Sequence, residues 1–157
     1  MKRALFPAAV ILLALGAGAC GSATSPSTPV SRSQLKAGDI HIAVAITGQG
    51  TGVLNFRIGV QNGGPVKETL EFSCGQFFDI EVRDGGSLVW RWSHDKAFTQ
   101  APWELELDPR ESFSQTTDWD LAGNDGRPLA PGSYESRVFI TNSDGGESLV
   151  YQTSLKI

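Results

Sequence analysis

The feature of this sequence that most constrains its fold is the regular spacing of turn signals between short runs with a period of two. Segments rich in Gly, Asn, Asp and Pro recur about every ten residues, at Gly48 to Gly52, Asn62 to Pro65, Asp84 to Gly86, Pro109, Asn124 to Gly126, Pro131-Gly132 and Asp144 to Gly146. Between these turns, every second residue is apolar at Leu54 to Val60, Phe78 to Val82, Leu88 to Trp92 and Trp103 to Leu107. The runs Tyr134 to Ile140 and Leu149 to Ile157 follow the same period, with Ser136 and Thr153 as the polar members of the otherwise apolar face. Such alternation is typical of strands with one buried face.

This pattern predicts an all-β fold, since no window shows a convincing helical period. Eight or nine short strands within residues 38–157 favour an immunoglobulin-like antiparallel β-sandwich. Asp84-Gly85-Gly86 and Asp144-Gly145-Gly146 are each predicted to turn a hairpin. The glycine-rich segment Gly48 to Gly52 is followed by no Lys and no helix signal, so we interpret it as a hairpin loop and not as a phosphate site.

The first 37 residues predict export and a tether, not part of the fold. Lys2 and Arg3 precede an apolar run from Ala4 to Ala19, which is too short to span a membrane and suits a signal peptide over residues 1–19. The Ser-, Thr- and Pro-rich segment after Cys20 is expected to be a flexible tether up to residue 37. Residues 38–157 then form one domain, which is long enough to bury a core without staples.

The end of the apolar run resembles a bacterial lipoprotein cleavage box, Ala17-Gly18-Ala19-Cys20. That resemblance implies that Cys20 carries lipid, palmitate included, and becomes the first residue of the mature chain. Gly21 after the Cys implies the outer membrane of a Gram-negative cell envelope. The alternative is an ordinary secretory signal cut near Cys20.

The charge and the cysteine count exclude several classes of function. The chain has 13 basic and 17 acidic residues, and loss of Lys2 and Arg3 leaves the mature protein near −6. An acidic chain without a basic patch is not expected to bind nucleic acid, and its membrane contact is expected through the N-terminal lipid only. Cys74 would have no disulfide partner if Cys20 is lipidated, and we predict that it is a small buried apolar residue.

The segment Leu88 to Ala101, LVWRWSHDKAFTQA, concentrates aromatic and charged residues. Leu88, Trp90 and Trp92 are predicted to share the core face of one strand, because two large rings on one face suit a sandwich core. Arg91 is predicted to lie on the opposite face, where it stacks on an aromatic ring or pairs with a carboxylate such as Asp79 or Glu81 across the hairpin.

No catalytic or metal site is predicted. Ser93-His94-Asp95 is not expected to be a triad, because consecutive residues of a strand point to alternate faces. Asp118 to Gly126 lacks the ligand spacing of an EF-hand, and a solvated turn is the simpler interpretation. Glu104 and Glu106 lie on one strand face and are interpreted as solvated carboxylates, so an unrecognised hydrolase has little support. No cofactor is expected.

The segment Phe72 to Asp84, FSCGQFFDIEVRD, resembles the signature of the BsuPI domain, the intracellular proteinase inhibitor family. The resemblance continues through five further blocks, at Val89 to Ser93, Phe98 to Ala101, Leu107 to Pro109, Trp119-Asp120 and Pro131 to Tyr134. It covers about residues 43 to 157, with Cys74 as an extra residue before Gly75. It implies an immunoglobulin-like all-β domain that inhibits a subtilisin-like serine protease.

Two functions remain open on the sequence alone. In the first, the domain blocks a serine protease at the cell envelope by placing an extended loop in the substrate cleft. The loop expected to do so is Ser93 to Pro102, with Lys96, Phe98 and Gln100 as contact candidates. Phe98 either fills an apolar pocket of the protease or packs under the end of the sandwich. In the second, the domain is a non-catalytic module that binds another envelope protein.

Overall fold

The computed structural model describes residues 39–143 and 149–157. Within those residues the chain forms nine strands and no helix: β1 (Ile40–Thr47), β2 (Leu54–Asn62), β3 (Glu68–Phe72), β4 (Phe78–Asp84), β5 (Ser87–Arg91), β6 (Trp103–Leu107), β7 (Ser112–Trp119), β8 (Ser133–Ile140) and β9 (Val150–Lys156). The predicted signal peptide, Cys20, the tether and the turn at Asp144 to Gly146 lie outside the described residues. Nothing in the described part is a helix long and apolar enough to cross a membrane.

The strands form an all-β sandwich, which confirms the predicted fold class. A three-stranded sheet has the order β1-β2-β7, and a four-stranded sheet has the order β5-β4-β8-β9. The ribbon β3-β6 forms the remaining pair, and every strand pair is antiparallel. The buried Asn62 amide fixes the ribbon to the end of β2, because its Nδ2 donates to the carbonyls of Val66 (2.7 Å) and Leu107 (3.0 Å).

The predicted period of two sets the core. The residues with this period are no more than 1% exposed in both central strands: Leu54, Phe56, Ile58 and Val60 in β2, and Phe78, Ile80 and Val82 in β4. The two sheets meet through aromatic rings at two points. The Phe77 and Phe113 rings contact edge to face with centroids 5.0 Å apart, and those of Trp90 and Trp119 stack at 4.6 Å.

The prediction that Leu88, Trp90 and Trp92 share a core face is wrong for Leu88. The β4-β5 register shifts between Val82 and Arg83, so that Val82 pairs with Trp90 and Arg83 pairs with Leu88. This bulge leaves Val89 as an extra residue and turns Leu88 to the outer face, where it is 43% exposed. Trp90 and Trp92 do pack against the core, although both are only half-buried.

The predicted hairpin turn at Asp84 to Gly86 is confirmed. Asp84 pairs with Ser87, and the two central residues both have positive φ, 51° at Gly85 and 88° at Gly86. Glycine adopts positive φ at both positions without strain, and the resulting turn twist matches the twist of the strands. The segment Gly48 to Gly52 likewise connects β1 to β2 as a hairpin loop.

Replacing Ile58 with Ala is expected to destabilise the domain by about 2–5 kcal/mol, because it opens a cavity at a fully buried position. Urea unfolding followed by tryptophan fluorescence measures the free energy of unfolding. The matched control is Arg57→Ala, one residue away on the exposed face, where a change within about 0.5 kcal/mol is expected. Similar losses in both variants would contradict the assigned faces of β2.

Candidate functional site: a loop anchored on a buried carboxylate

The candidate site is the connection from β5 to β6, residues 93–102, which we call the contact loop. It begins in a turn, where the His94 amide donates to the Arg91 carbonyl (3.1 Å) and the Lys96 amide to the Ser93 carbonyl (3.2 Å). From Lys96 to Pro102 it has no regular secondary structure. Ser93 to Asp95 therefore lie in a turn and not in a strand, which corrects the predicted reason that they form no triad.

The first anchor of the contact loop is the carboxylate of Asp79, which is only 1% exposed. Its Oδ2 accepts hydrogen bonds from the Ser93 hydroxyl (2.7 Å) and Arg91 Nε (2.7 Å). Its Oδ1 accepts from the backbone amides of Ile80 (2.9 Å) and Ser93 (3.2 Å). A buried carboxylate is tolerated only when its oxygens are satisfied, and two of these four donors belong to the first residue of the loop. The Ser93 hydroxyl is thus bonded to Asp79 and not to His94.

The predicted pairing of Arg91 with carboxylates is confirmed and extends into a network. Besides Asp79, the Arg91 guanidinium reaches Glu81, with Nη1 3.8 Å from Oε1. Glu81 is 6% exposed and also pairs with Arg83 (3.1 Å) and Arg137 (3.9 Å). Two buried acids on the outer face of β4 are therefore shared among three arginines, and this network fixes the end of β5 from which the loop starts.

The second anchor is the segment between β3 and β4. The Gly75 amide donates to the Thr99 carbonyl (2.9 Å) in the middle of the contact loop. A side chain at Gly75 would collide with the Thr99 hydroxyl, so glycine permits this close approach. The segment is itself held in place, because Trp103 Nε1 donates to the Cys74 carbonyl (2.8 Å) and Thr141 Oγ1 donates to the Gln76 carbonyl (2.7 Å).

The third anchor is aromatic. The Trp92 ring lies 4.3 Å from Phe78 of the core, and its Nε1 donates to Thr117 Oγ1 of β7 (2.9 Å). Phe98 of the loop also packs on Trp92, with the two ring centroids 5.8 Å apart. The Lys96 ammonium lies 5.0 Å from the Trp92 centroid, within the range of a cation–π contact.

Lys96 and Phe98 are thereby brought together on one tryptophan, and Gln100 is linked to them through the main chain of Phe98. The three contact candidates are not equally accessible. Lys96 and Gln100 are exposed, whereas Phe98 is half-buried. Gln100 Nε2 donates to the Phe98 carbonyl (3.2 Å), which bends the chain locally around Phe98. Lys96 and Gln100 are free to meet a partner, while Phe98 both supports the loop and offers part of its ring.

Other residues considered from the sequence lie elsewhere. Cys74 is half-buried rather than buried, at the base of the contact loop. The Asp120 and Asp125 carboxylates accept backbone amides of their own turns, from Ala122 (3.2 Å) and Arg127 (3.0 Å). Among the residues that the structure describes, no three His, Cys, Asp or Glu side chains form a metal-ligating group.

The predicted solvated face of β6 is exposed as expected, and Glu106 has a cationic partner there. Lys67 Nζ lies 3.0 Å from Glu106 Oε2 and 3.6 Å from Asp108 Oδ1. The hydrogen bond to Glu106 and the negative charges of both acids raise the pKa of Lys67. Since all three side chains are exposed, this cluster contributes little to stability.

Sequence reasoning missed the roles of Ser93 and Thr99 as anchor points. Their partners, Asp79 and Gly75, lie 14 and 24 positions away along the chain. The one local signal was Asp79 itself, an acid placed directly between the core residues Phe78 and Ile80.

Comparisons with solved structures give only distant likenesses. The CARDB domain of a Pyrococcus furiosus protein, solved in complex with di-metal ions, has 15% identity and a TM-score of 0.38, and the match covers 77% of this chain and 96% of that one. A β-glucosidase from Erythrobacter marinus has 16% identity and a TM-score of 0.33, with 66% of this chain and 13% of that chain covered. Neither says anything about function. No sequence relative was found among curated proteins.

A comparison with family models identifies the family of the chain. The model for BsuPI, described as intracellular proteinase inhibitor, matches residues 40–145, which is more than half of the chain. The matched region begins at the first residue of β1 and contains the contact loop with all three of its anchors.

Removing the charge of Asp79 is expected to loosen the contact loop. Asp79→Asn keeps the shape of the side chain but leaves Arg91 without its closest acid. It also replaces one acceptor oxygen with an NH2 donor that faces the Ser93 hydroxyl. Together these changes should lower the free energy of unfolding by about 1–3 kcal/mol. Limited proteolysis with mass-spectrometric mapping should show faster cleavage within residues 93–102, alongside a lower urea midpoint.

The control for this experiment is Asp95→Asn, the same chemical change at an exposed position of the same loop. It should leave both the cleavage rate and the midpoint near those of the unmodified chain. Equal cleavage of the two variants would show that the Asp79 carboxylate does not hold the loop.

Proposed function

We propose that this chain, which belongs to the BsuPI family of proteinase inhibitors, binds and blocks a subtilisin-like serine protease at the cell envelope. The family gives a proteinase-inhibitor-like domain. The protease class and the cellular location are the parts that we add. The protein would act by steric blockage, with no cofactor and no chemistry of its own.

The observation that carries this proposal is the way in which the contact loop is held. It lacks regular secondary structure from Lys96 to Pro102, yet it is anchored at Ser93, Phe98 and Thr99. A segment that is already ordered loses less conformational entropy when it enters a protease cleft, so more of its contact energy appears as affinity. Protease–inhibitor interfaces bury about 1,600 Å² in total, so neighbouring surfaces would have to contribute beside the loop.

Within this proposal, Lys96, Phe98 and Gln100 contact the protease. Lys96 and Gln100 are exposed, two residues to either side of Phe98. When the protease covers the loop, the Lys96 ammonium either stays on Trp92 or moves to an acidic subsite of the enzyme. Because the Phe98 ring packs on Trp92, the loop would keep its conformation in the substrate cleft of the protease.

We also propose that the protein is a lipoprotein, held to the membrane through lipid on Cys20. The Ser-, Thr- and Pro-rich segment from residue 21 to 37 would then be the tether between the lipid and the domain. Several acyl chains on one cysteine anchor a protein stably, whereas one chain binds only marginally. By the resemblance of its cleavage box and Gly21, the membrane would be the outer membrane of a Gram-negative bacterium.

The test of inhibition is a titration of a subtilisin-family protease with the domain, using a fluorogenic peptide to measure residual activity. A soluble form beginning at Ser22 lacks the proposed lipid site and is suited to this assay. Tight, saturable inhibition is expected. The joint replacement of Lys96, Phe98 and Gln100 by Ala should remove it, with the near-UV circular dichroism of the remaining fold retained.

The matched control replaces Gln152, Ser154 and Lys156 by Ala, three exposed residues of β9 that include one lysine. This variant should inhibit like the unmodified domain. Unchanged potency of the contact-loop variant would exclude that loop. A folded domain that inhibits no subtilisin-family protease would leave the binding of another envelope protein as the function.

Lipidation is tested separately. Cys20→Ser should abolish labelling by radioactive palmitate and move the protein from the membrane fraction to the soluble fraction, because the thiol is the proposed attachment point. Gly21→Ala serves as the control and should stay in the membrane fraction. Membrane retention of the Cys20→Ser protein would contradict the anchor.

A further inference from the structure

The outer edge of β7 is an open strand edge in this sandwich. β7 pairs with β2 on one side only, and in the described residues no backbone hydrogen bond reaches its other side. Five of its eight residues are exposed, and all five are Ser, Gln, Thr or Asp. An edge of this length presents a row of unpaired N–H and C=O groups to solvent.

The neighbouring edge, that of β5, is closed by the protein itself. Asn124 lies against it as a substitute strand, with its amide donating to the Val89 carbonyl (3.0 Å) and its Oδ1 accepting from the Arg91 amide (2.9 Å). The bulge at Val89 interrupts that edge further. The fold therefore protects one of the two adjacent edges and leaves the other accessible.

β7 carries none of the usual protective features of an edge strand. It contains no Pro and no Lys, and its register with β2 runs without a shift from Ser112 to Trp119. The backbone N–H of Asn62 in β2 donates to the Glu111 carbonyl (2.9 Å), so this carbonyl, directly before β7, points toward β2. Since hydrogen-bonded pairs alternate along an antiparallel ladder, the N–H groups of Ser114 and Thr116 point away from β2.

The open edge adjoins the contact loop. The indole of Trp92, on which Lys96 and Phe98 pack, donates to Thr117 Oγ1 of β7. Two residues further along each strand, Trp90 stacks on Trp119. The edges of β5 and β7 thus lie on the same side of the sandwich, and the loop continues into the open edge as one surface.

We propose that the outer edge of β7, from Ser112 to Asp118, pairs with an extended strand of the protease that the contact loop blocks. This inference rests on the proposed function and adds a second element to the same interface. Strand addition takes its affinity from main-chain hydrogen bonds, which the Ser, Thr and Gln side chains of β7 do not obstruct. Self-pairing of two β7 strands is the less favoured use, because these polar side chains alone would bury little apolar surface against a second copy.

The test uses two substitutions at Thr116 in the full chain, purified in detergent and titrated against a subtilisin-family protease. Thr116→Pro removes the outward N–H without touching the ladder to β2, whereas Thr116→Val keeps it. Thr116→Pro is expected to weaken inhibition by about tenfold or more, and Thr116→Val by less than about twofold. Unfolding in urea establishes that both variants are folded.

Equal inhibition by the two variants would overturn the inference while leaving the proposed function intact. Absence of inhibition by the unmodified chain would overturn both, and this is visible before either variant is made. Sedimentation velocity covers self-pairing. Loss of a concentration-dependent dimer in Thr116→Pro, with inhibition unchanged, would assign the edge to a second copy and overturn the inference.

Discussion

The buried carboxylate of Asp79 is the interaction on which the rest of the candidate site depends. Burying an ionised group is costly unless donors surround it, and here Ile80, Arg91 and Ser93 supply four hydrogen bonds. The consequence is mechanical. Because two of the four donors to Asp79 belong to Ser93, the chain must pass over the outer face of β4 directly after β5. The contact loop therefore starts at a fixed position.

The segment that resembles the family signature is explained by this support. Gly75 receives the middle of the contact loop, Gln76 is held by Thr141, and Asp79 holds the start of the loop. The Phe78 ring contacts the Trp92 ring, which in turn contacts the Phe98 ring. The residues that resemble the family signature therefore position the contact loop and do not themselves form its exposed surface.

The sequence predicted the class of fold because one-sided burial imposes a period of two, and seven of the nine strands show it clearly. β7 could not be predicted from this period, because its sequence SFSQTTDW is mostly polar and does not alternate between apolar and polar residues. β1 also has this period, because Ile40, Ile42, Val44 and Ile46 alternate with residues that are not buried. The bulge at Val89 was not predictable from alternation, since one extra residue reverses every face that follows it.

One ion pair of the candidate site, Arg91 with Asp79, was predicted from the sequence, because the two residues lie on neighbouring strands of a hairpin. The other anchors were not predictable, because they join the loop to a different segment of chain whose approach depends on the whole sandwich. This explains why Phe98 could not be assigned from the sequence to either the core or a protease pocket: in the structure it is half-buried, with its ring packed on Trp92.

The most direct test of the account is amide hydrogen exchange of the domain, alone and with an equimolar, catalytically inactivated subtilisin-family protease. We expect the amides of residues 94–101 to become protected in the complex, because the loop that Asp79 fixes at Ser93 would be the segment that the protease covers. Protection confined to the outer faces of β8 and β9, or no protection anywhere, would contradict it.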